Sequence, residues 1–92
     1  MAISNDFYFV YVLRSLKDGN LYTGYSSDVK KRFAEHNDGL NKSTKHRRPF
    51  ELIYFEGAKN KYDAIHREKY LKTSYGKRYI KNRLKNYLKF DT

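Results

Sequence analysis

Cysteine is absent from this 92-residue chain. Neither disulfides nor thiolate metal sites can therefore help hold the fold, and a cytoplasmic setting is the expectation. No apolar run approaches the roughly 20 residues that cross a bilayer, so no membrane is expected among its partners. The opening MAISND lacks the basic and apolar regions of a secretion signal. Acid is scarce too, with ten Asp and Glu against twenty Lys and Arg, a formal charge of +10. Such a field attracts polyanions, nucleic acid before an anionic membrane surface. Ten tyrosines accompany it, and aromatic rings among cations suit sugar–phosphate and exposed bases. Hydrophobic residues still make up 39%, which excludes a disordered tail and suits one domain over 1–92 with a modest core.

The segment FYFVYVLRS (7–15) is aromatic and β-branched and reads as a strand buried on both faces. Asp18-Gly19 signals a tight turn, and LYTGYS (21–26) returns as an antiparallel strand. Ser26 or Ser27 is the expected cap of a helix from Asp28 to about Asp38, with Gly39 as its stop. Residues 40–49 are cationic and aperiodic, hence a loop, and FELIYFE (50–56) is a third strand. Asn60 with Asp63 suits the start of a helix over 61–73, which Gly76 is expected to break. A last helix carries Ile80, Leu84 and Leu88 on its inner stripe. The expected fold is α+β: a small three-stranded, mostly antiparallel sheet flanked by about three helices, in the order ββαβαα.

Three constellations carry chemistry. A two-residue turn at Asp18-Gly19 would set Ser15 opposite Tyr22, Leu13 opposite Gly24 and Tyr11 opposite Ser26. Tyr11, Tyr22 and Gly24 then share one face, with Gly24 leaving a dent for a ligand or another backbone. That register leaves the tyrosines four residues, ~13 Å, apart along the strand. On the first helix Val29 and Phe33 define the apolar stripe. Arg32 and His36 flank it, while Lys31 and Glu35 point to solvent. A guanidinium at that edge suits a phosphate. On the second helix Glu68 projects from the stripe of Ala64, Ile65 and Leu71, where an unpaired carboxylate is costly. Its partner is either Lys72, one turn on, or a divalent metal.

Taken together these residues resemble the GIY-YIG nuclease family, and most closely its small stand-alone bacterial members, similar to the N-terminal nuclease domain of the excision-repair incision subunit. FVY (9–11) stands where the family has GIY, and YTG (22–24) stands where it has YIG. Arg32, His36 and Glu68 match the family's helix-borne arginine, histidine and metal-binding glutamate. Phe9 replaces the first glycine and Thr23 the isoleucine. The family's late asparagine is assigned to Asn82, with Asn86 in reserve.

The resemblance implies a divalent-metal-dependent endonuclease acting on nucleic acid, DNA before RNA, with a role in DNA repair. Tyr11 would take or relay the proton of the attacking water, and Tyr22 would orient water or phosphate. Arg32 would stabilise developing charge, His36 would hold Tyr11 or the phosphate, and Glu68 would bind Mg²⁺ or Mn²⁺. Gly24, the loop cations Lys42, Lys45, Arg47 and Arg48, and the helical Lys72, Lys77, Arg78, Lys81 and Asn82 would hold the nucleic acid, joined by Arg83 and Lys85. Phosphate contacts position without specifying sequence, so structure-selective or weakly sequence-selective cutting is expected. Two alternatives stay open: a non-catalytic nucleic-acid-binding module on the same fold, and an RNA-associated adaptor.

Overall fold

The computed structural model describes residues 6–89. Three antiparallel strands, β1 (Tyr8–Ser15), β2 (Leu21–Ser26) and β3 (Phe50–Ala58), form a sheet in the order β2-β1-β3. Helix α1 (Val29–Asn37) lies between β2 and β3 in the chain; α2 (Lys61–Leu71), α3 (Ser74–Arg83) and the short α4 (Lys85–Lys89) follow. The ββαβαα order and α+β class are those the sequence led us to expect. The last helix is divided, with Leu84 closing α3 before α4 begins.

β1 is the central strand, and Val10, Tyr11, Val12 and Leu13 are all buried in succession. Alternation splits them between two cores. Val10 and Val12 pack with Ala64, Leu71 and Ile80 of α2 and α3. Tyr11 and Leu13 pack with Phe50, and Tyr22, Val29, Phe33 and Leu52 close around them. The β1–β3 pairing slips between Val12 and Leu13, where Tyr54 and Leu52 are the successive partners and Ile53 is the extra residue. That bulge lets Ile53 and Tyr54 both serve the α2 side while Leu52 serves the α1 side.

The hairpin differs from the two-residue turn read at Asp18-Gly19. Ser15 Nα donates to the Asn20 carbonyl, so the loop is the four residues 16–19, and Gly19 closes it at φ 75°. The Ser15 hydroxyl causes this: its oxygen accepts from both Lys17 and Asp18 Nα, winding the chain into a helical turn. Gly19 Nα then donates to the Ser15 carbonyl. The register moves by two residues, so Tyr11 faces Gly24 and Leu13 faces Tyr22. The tyrosines are therefore two residues apart rather than four, ~7 Å along the strand.

Two helix boundaries also correct the sequence reading. Asp28, not Ser26 or Ser27, caps α1 by accepting from Lys31 Nα, while Ser26 shapes the turn before it. Gly39 ends that helix as expected, at φ 79°. Gly76 does not break a helix; it sits inside the first turn of α3, whose cap is Thr73. A Cβ there would lie 2.1 Å from the Tyr70 carbonyl oxygen, so Gly76 is what lets α3 pack against the end of α2.

Candidate active site

The corrected register makes the site. The Tyr11 ring lies across Gly24, where an added Cβ would stand 2.3 Å from the phenol oxygen. Gly24 is buried and filled by Tyr11, so it seats the tyrosine rather than opening a dent for nucleic acid. Tyr22 lies beside it on the same face, with ring centroids 6.4 Å apart. Both phenols face α1.

Helix α1 brings His36 under them. Its side chain is fully buried, not flanking the stripe at the surface, and its ring lies 5.0 Å from Tyr22 and 6.0 Å from Phe50. Nε2 meets the Tyr11 hydroxyl at 2.9 Å, and Nδ1 meets the Thr44 hydroxyl at 2.8 Å. Burial, and then the repulsion of Arg32, hold the imidazole below its ordinary pKa, so it is neutral at neutral pH. Burial also pushes the Tyr11 phenol well above 10, with Tyr22, Glu68 and Glu35 adding to the rise and Arg32 opposing it. Tyr11 thus feels charges from α1 and α2 together. Arg32 itself is exposed and reaches Glu35 at 3.4 Å, so Glu35 turns toward the arginine instead of pointing into solvent.

Glu68 projects from α2 with its side chain only 19% exposed, and Lys72 answers it at 3.1 Å. The helical ion pair read from the sequence is therefore formed. Among the described residues no three His, Cys, Asp or Glu side chains group to hold a metal. A lone shielded carboxylate, already balanced by one cation, does fit an ion such as Mg²⁺ that keeps its waters and takes one carboxylate plus substrate oxygens. It does not fit an all-protein cage.

The remaining cations divide. Arg47 is committed to the hairpin loop, binding Asp18 at 2.9 Å and lying over Phe50. Arg48 donates to the Lys45 carbonyl, and its guanidinium covers Gly39. Lys42 lies with Arg32 around a hollow of about 300 Å³ on the α1 side. On the other side a groove of about 930 Å³ runs from the edge of β2, at Tyr22, along α3. Lys72, Lys77, Lys81 and Lys85 rim it over a floor that includes Leu71 and Ile80. Lys45 and Arg78 are exposed, the latter against Tyr75. Asn82 and Asn86 are exposed and neither lines that groove, so the structure does not bring them to Tyr22. Sequence reasoning missed Thr44 and Ser15, both buried polar residues. Thr44 sat unread inside an aperiodic cationic loop; its single signal was a small hydroxyl amid lysines and arginines.

A model of the GIY-YIG catalytic domain matches residues 7–87. The chain belongs to the GIY-YIG family. Its relatives include the UPF0213 protein of Staphylococcus saprophyticus, 45% identical over 69 residues, covering 74% of this chain and 83% of that protein. The UPF0213 protein of Staphylococcus epidermidis is 48% identical over the same coverage. The solution NMR structure of the UPF0213 protein BH0048 from Bacillus halodurans is 34% identical, with a TM-score of 0.50 over 80% of this chain and 81% of that one. The GIY-YIG assignment implies a nucleic-acid substrate and supports endonuclease-like function. Among the described residues no helix is long and apolar enough to cross a membrane.

Proposed function

We propose that this GIY-YIG chain is a divalent-metal-dependent endonuclease hydrolysing phosphodiester bonds in DNA. One observation carries the reading: the Tyr11 phenol, bonded to a buried neutral imidazole, lies beside the Tyr22 ring, and Arg32 and Glu68 both bear on its pKa. An isolated phenol with a raised pKa is a poor base at neutral pH. Paired with His36 it becomes a relay. The attacking water passes a proton to the Tyr11 oxygen while Tyr11 passes its own to His36 Nε2. The water oxygen bonds to phosphorus, and the bond to the leaving 3′ oxygen breaks; that oxygen takes a proton from solvent. Tyr22 orients the water or phosphate, and Arg32 stabilises charge on the phosphoryl oxygens. Glu68 would hold a divalent ion, whose Lewis acidity would stabilise charge on the leaving oxygen. The lysine-rimmed groove holds flanking backbone, which suits structure-selective or weakly sequence-selective cutting.

The test is a folded Glu68→Ala protein assayed with Mn²⁺ or Mg²⁺ on labelled branched and linear DNAs, with matched RNAs beside them. Cleavage should fall on the order of a hundredfold, about 3 kcal/mol of transition-state stabilisation. Undiminished cutting by that variant would remove Glu68 from the reaction. The Glu68–Lys72 ion pair favours a second reading, a binding module that does not cut. That module would bind with a steep salt dependence and no need of metal.

A further inference from the structure

We infer that Thr44 is a positioning residue that fixes His36 in the one neutral tautomer able to receive the Tyr11 proton. Three groups form a chain: the Tyr11 hydroxyl, the His36 ring and the Thr44 hydroxyl, at 2.9 and 2.8 Å. All three residues are at most 2% exposed. Thr44 Oγ1 also faces the backbone carbonyl of Asn41 at 3.5 Å, the outer limit of a hydrogen bond, a group that can only accept and that also takes the Thr44 and Lys45 backbone N–H groups.

Two directions are conceivable for the protons in such a chain. In one, Tyr11 donates to Nε2, Nδ1–H donates to Thr44, and Thr44 turns its proton toward the Asn41 carbonyl. The Tyr11 proton and Nδ1–H then each have a close acceptor, and the Thr44 proton has the Asn41 carbonyl at 3.5 Å. In the other, Thr44 donates to Nδ1 and Nε2–H donates to the Tyr11 oxygen. The phenolic proton of Tyr11 is then left without an acceptor among the described residues, since His36 is its one hydrogen-bond partner there. A buried unpaired donor is costly enough to decide between the directions. Thr44 selects the first by offering Nδ1–H an acceptor; a bare Nε2 at Tyr11 follows. Histidine tautomers are commonly set this way, by the partner of the other ring nitrogen.

The consequence is specific to the hydroxyl. Thr44→Val keeps the shape of the side chain but gives Nδ1–H nothing to bind. The neutral ring then shifts toward Nε2–H, which places a proton where Tyr11 must deliver one.

The experiment is ¹⁵N-detected histidine NMR on the whole protein without metal or nucleic acid. The parent should show His36 with Nδ1 protonated and Nε2 bare. Thr44→Val should move the ring toward Nε2–H, and Thr44→Ser should restore the parent pattern. A parent ring carrying Nε2–H overturns the inference, as does a Thr44→Val ring with its tautomer unchanged. If Thr44→Val fails to fold, the parent spectrum and Thr44→Ser decide by the same criteria. The kinetic arm rests on the nuclease reading: Thr44→Val should lower kcat about tenfold or more with KM unchanged, and Thr44→Ser should recover it. The expected spectra in a protein that cuts no nucleic acid would support the role of Thr44 and refute the nuclease reading, so the two failures are distinct.

Discussion

Replacing Gly24 with alanine tests the seating of Tyr11 directly. The new Cβ would lie 2.3 Å from the phenol oxygen, 2.4 Å from Cζ and 2.9 Å from Cε1. Non-bonded carbons rest about 3.5–4.0 Å apart, so the ring must retreat by roughly 1 Å. The bond to His36, now 2.9 Å, would stretch beyond hydrogen-bonding distance. Overpacking costs about 1–3 kcal/mol and a broken buried bond about another 1–3, offset by up to ~1 from stiffening the unfolded chain. The net loss is roughly 1–6 kcal/mol. In urea unfolding the midpoint should fall with the slope unchanged, and Tm should drop on the order of 10 °C or more. Tyr11→Phe in the same chain should not rescue it, because ring carbons remain in the way. Gly57→Ala is the control: its Cβ meets ring edges of Phe9, at 3.0 Å, and Phe7, at 3.5 Å, on an exposed stretch, and should cost under about 1 kcal/mol. A Gly24→Ala protein within about 0.5 kcal/mol of its parent, with the His36 ring signals unmoved, would refute the reasoning.

Two further outcomes follow from buried groups. Gly76→Ala drives a Cβ into the Tyr70 carbonyl, which is backbone and cannot swing aside, so thermal unfolding should show a loss of about 3 kcal/mol or more. A loss below about 1 kcal/mol would mean that α3 can slide off α2 without cost. His36 sets a pH dependence: its folded pKa lies below the unfolded value of 6.5, so the unfolded chain binds the proton first. Its contribution to stability is therefore full above about pH 6.5 and declines as pH falls toward the folded value. His36→Gln should flatten that part of the curve, measured by urea titration at several pH values; an equal slope in parent and variant would place the proton elsewhere.

The elements were legible because their signals are local. β1 announces itself by aromatic and β-branched residues on both faces, and Gly39 marks the end of α1 by the backbone conformation it alone adopts cheaply. Glu68 was legible as an acid out of place on an apolar stripe, and Lys72 as its neighbour. The hairpin register was not legible. Asp18-Gly19 has the composition of a two-residue turn, but the Ser15 hydroxyl gathers the next two amides and lengthens it. Ser15 also donates to the Arg47 carbonyl, 32 residues on, which no local pattern can announce. Thr44 was missed for the same reason: its meaning lies in a contact with a different element. His36 was placed on the correct side of its helix, but its depth depends on how closely α1 meets the sheet.

The four-residue loop 16–19 acts as a spacer gauge for the chemistry beyond it. Trimming two residues there would change no side chain around Tyr11, yet it would slide one phenol past the other by a full strand repeat and leave Gly24 without the ring it accommodates. Most surface connections tolerate insertions and deletions; in this one length itself is under constraint. Chains of this architecture with a shorter first hairpin should therefore have lost the tyrosine–glycine pairing, whatever motif letters they still spell.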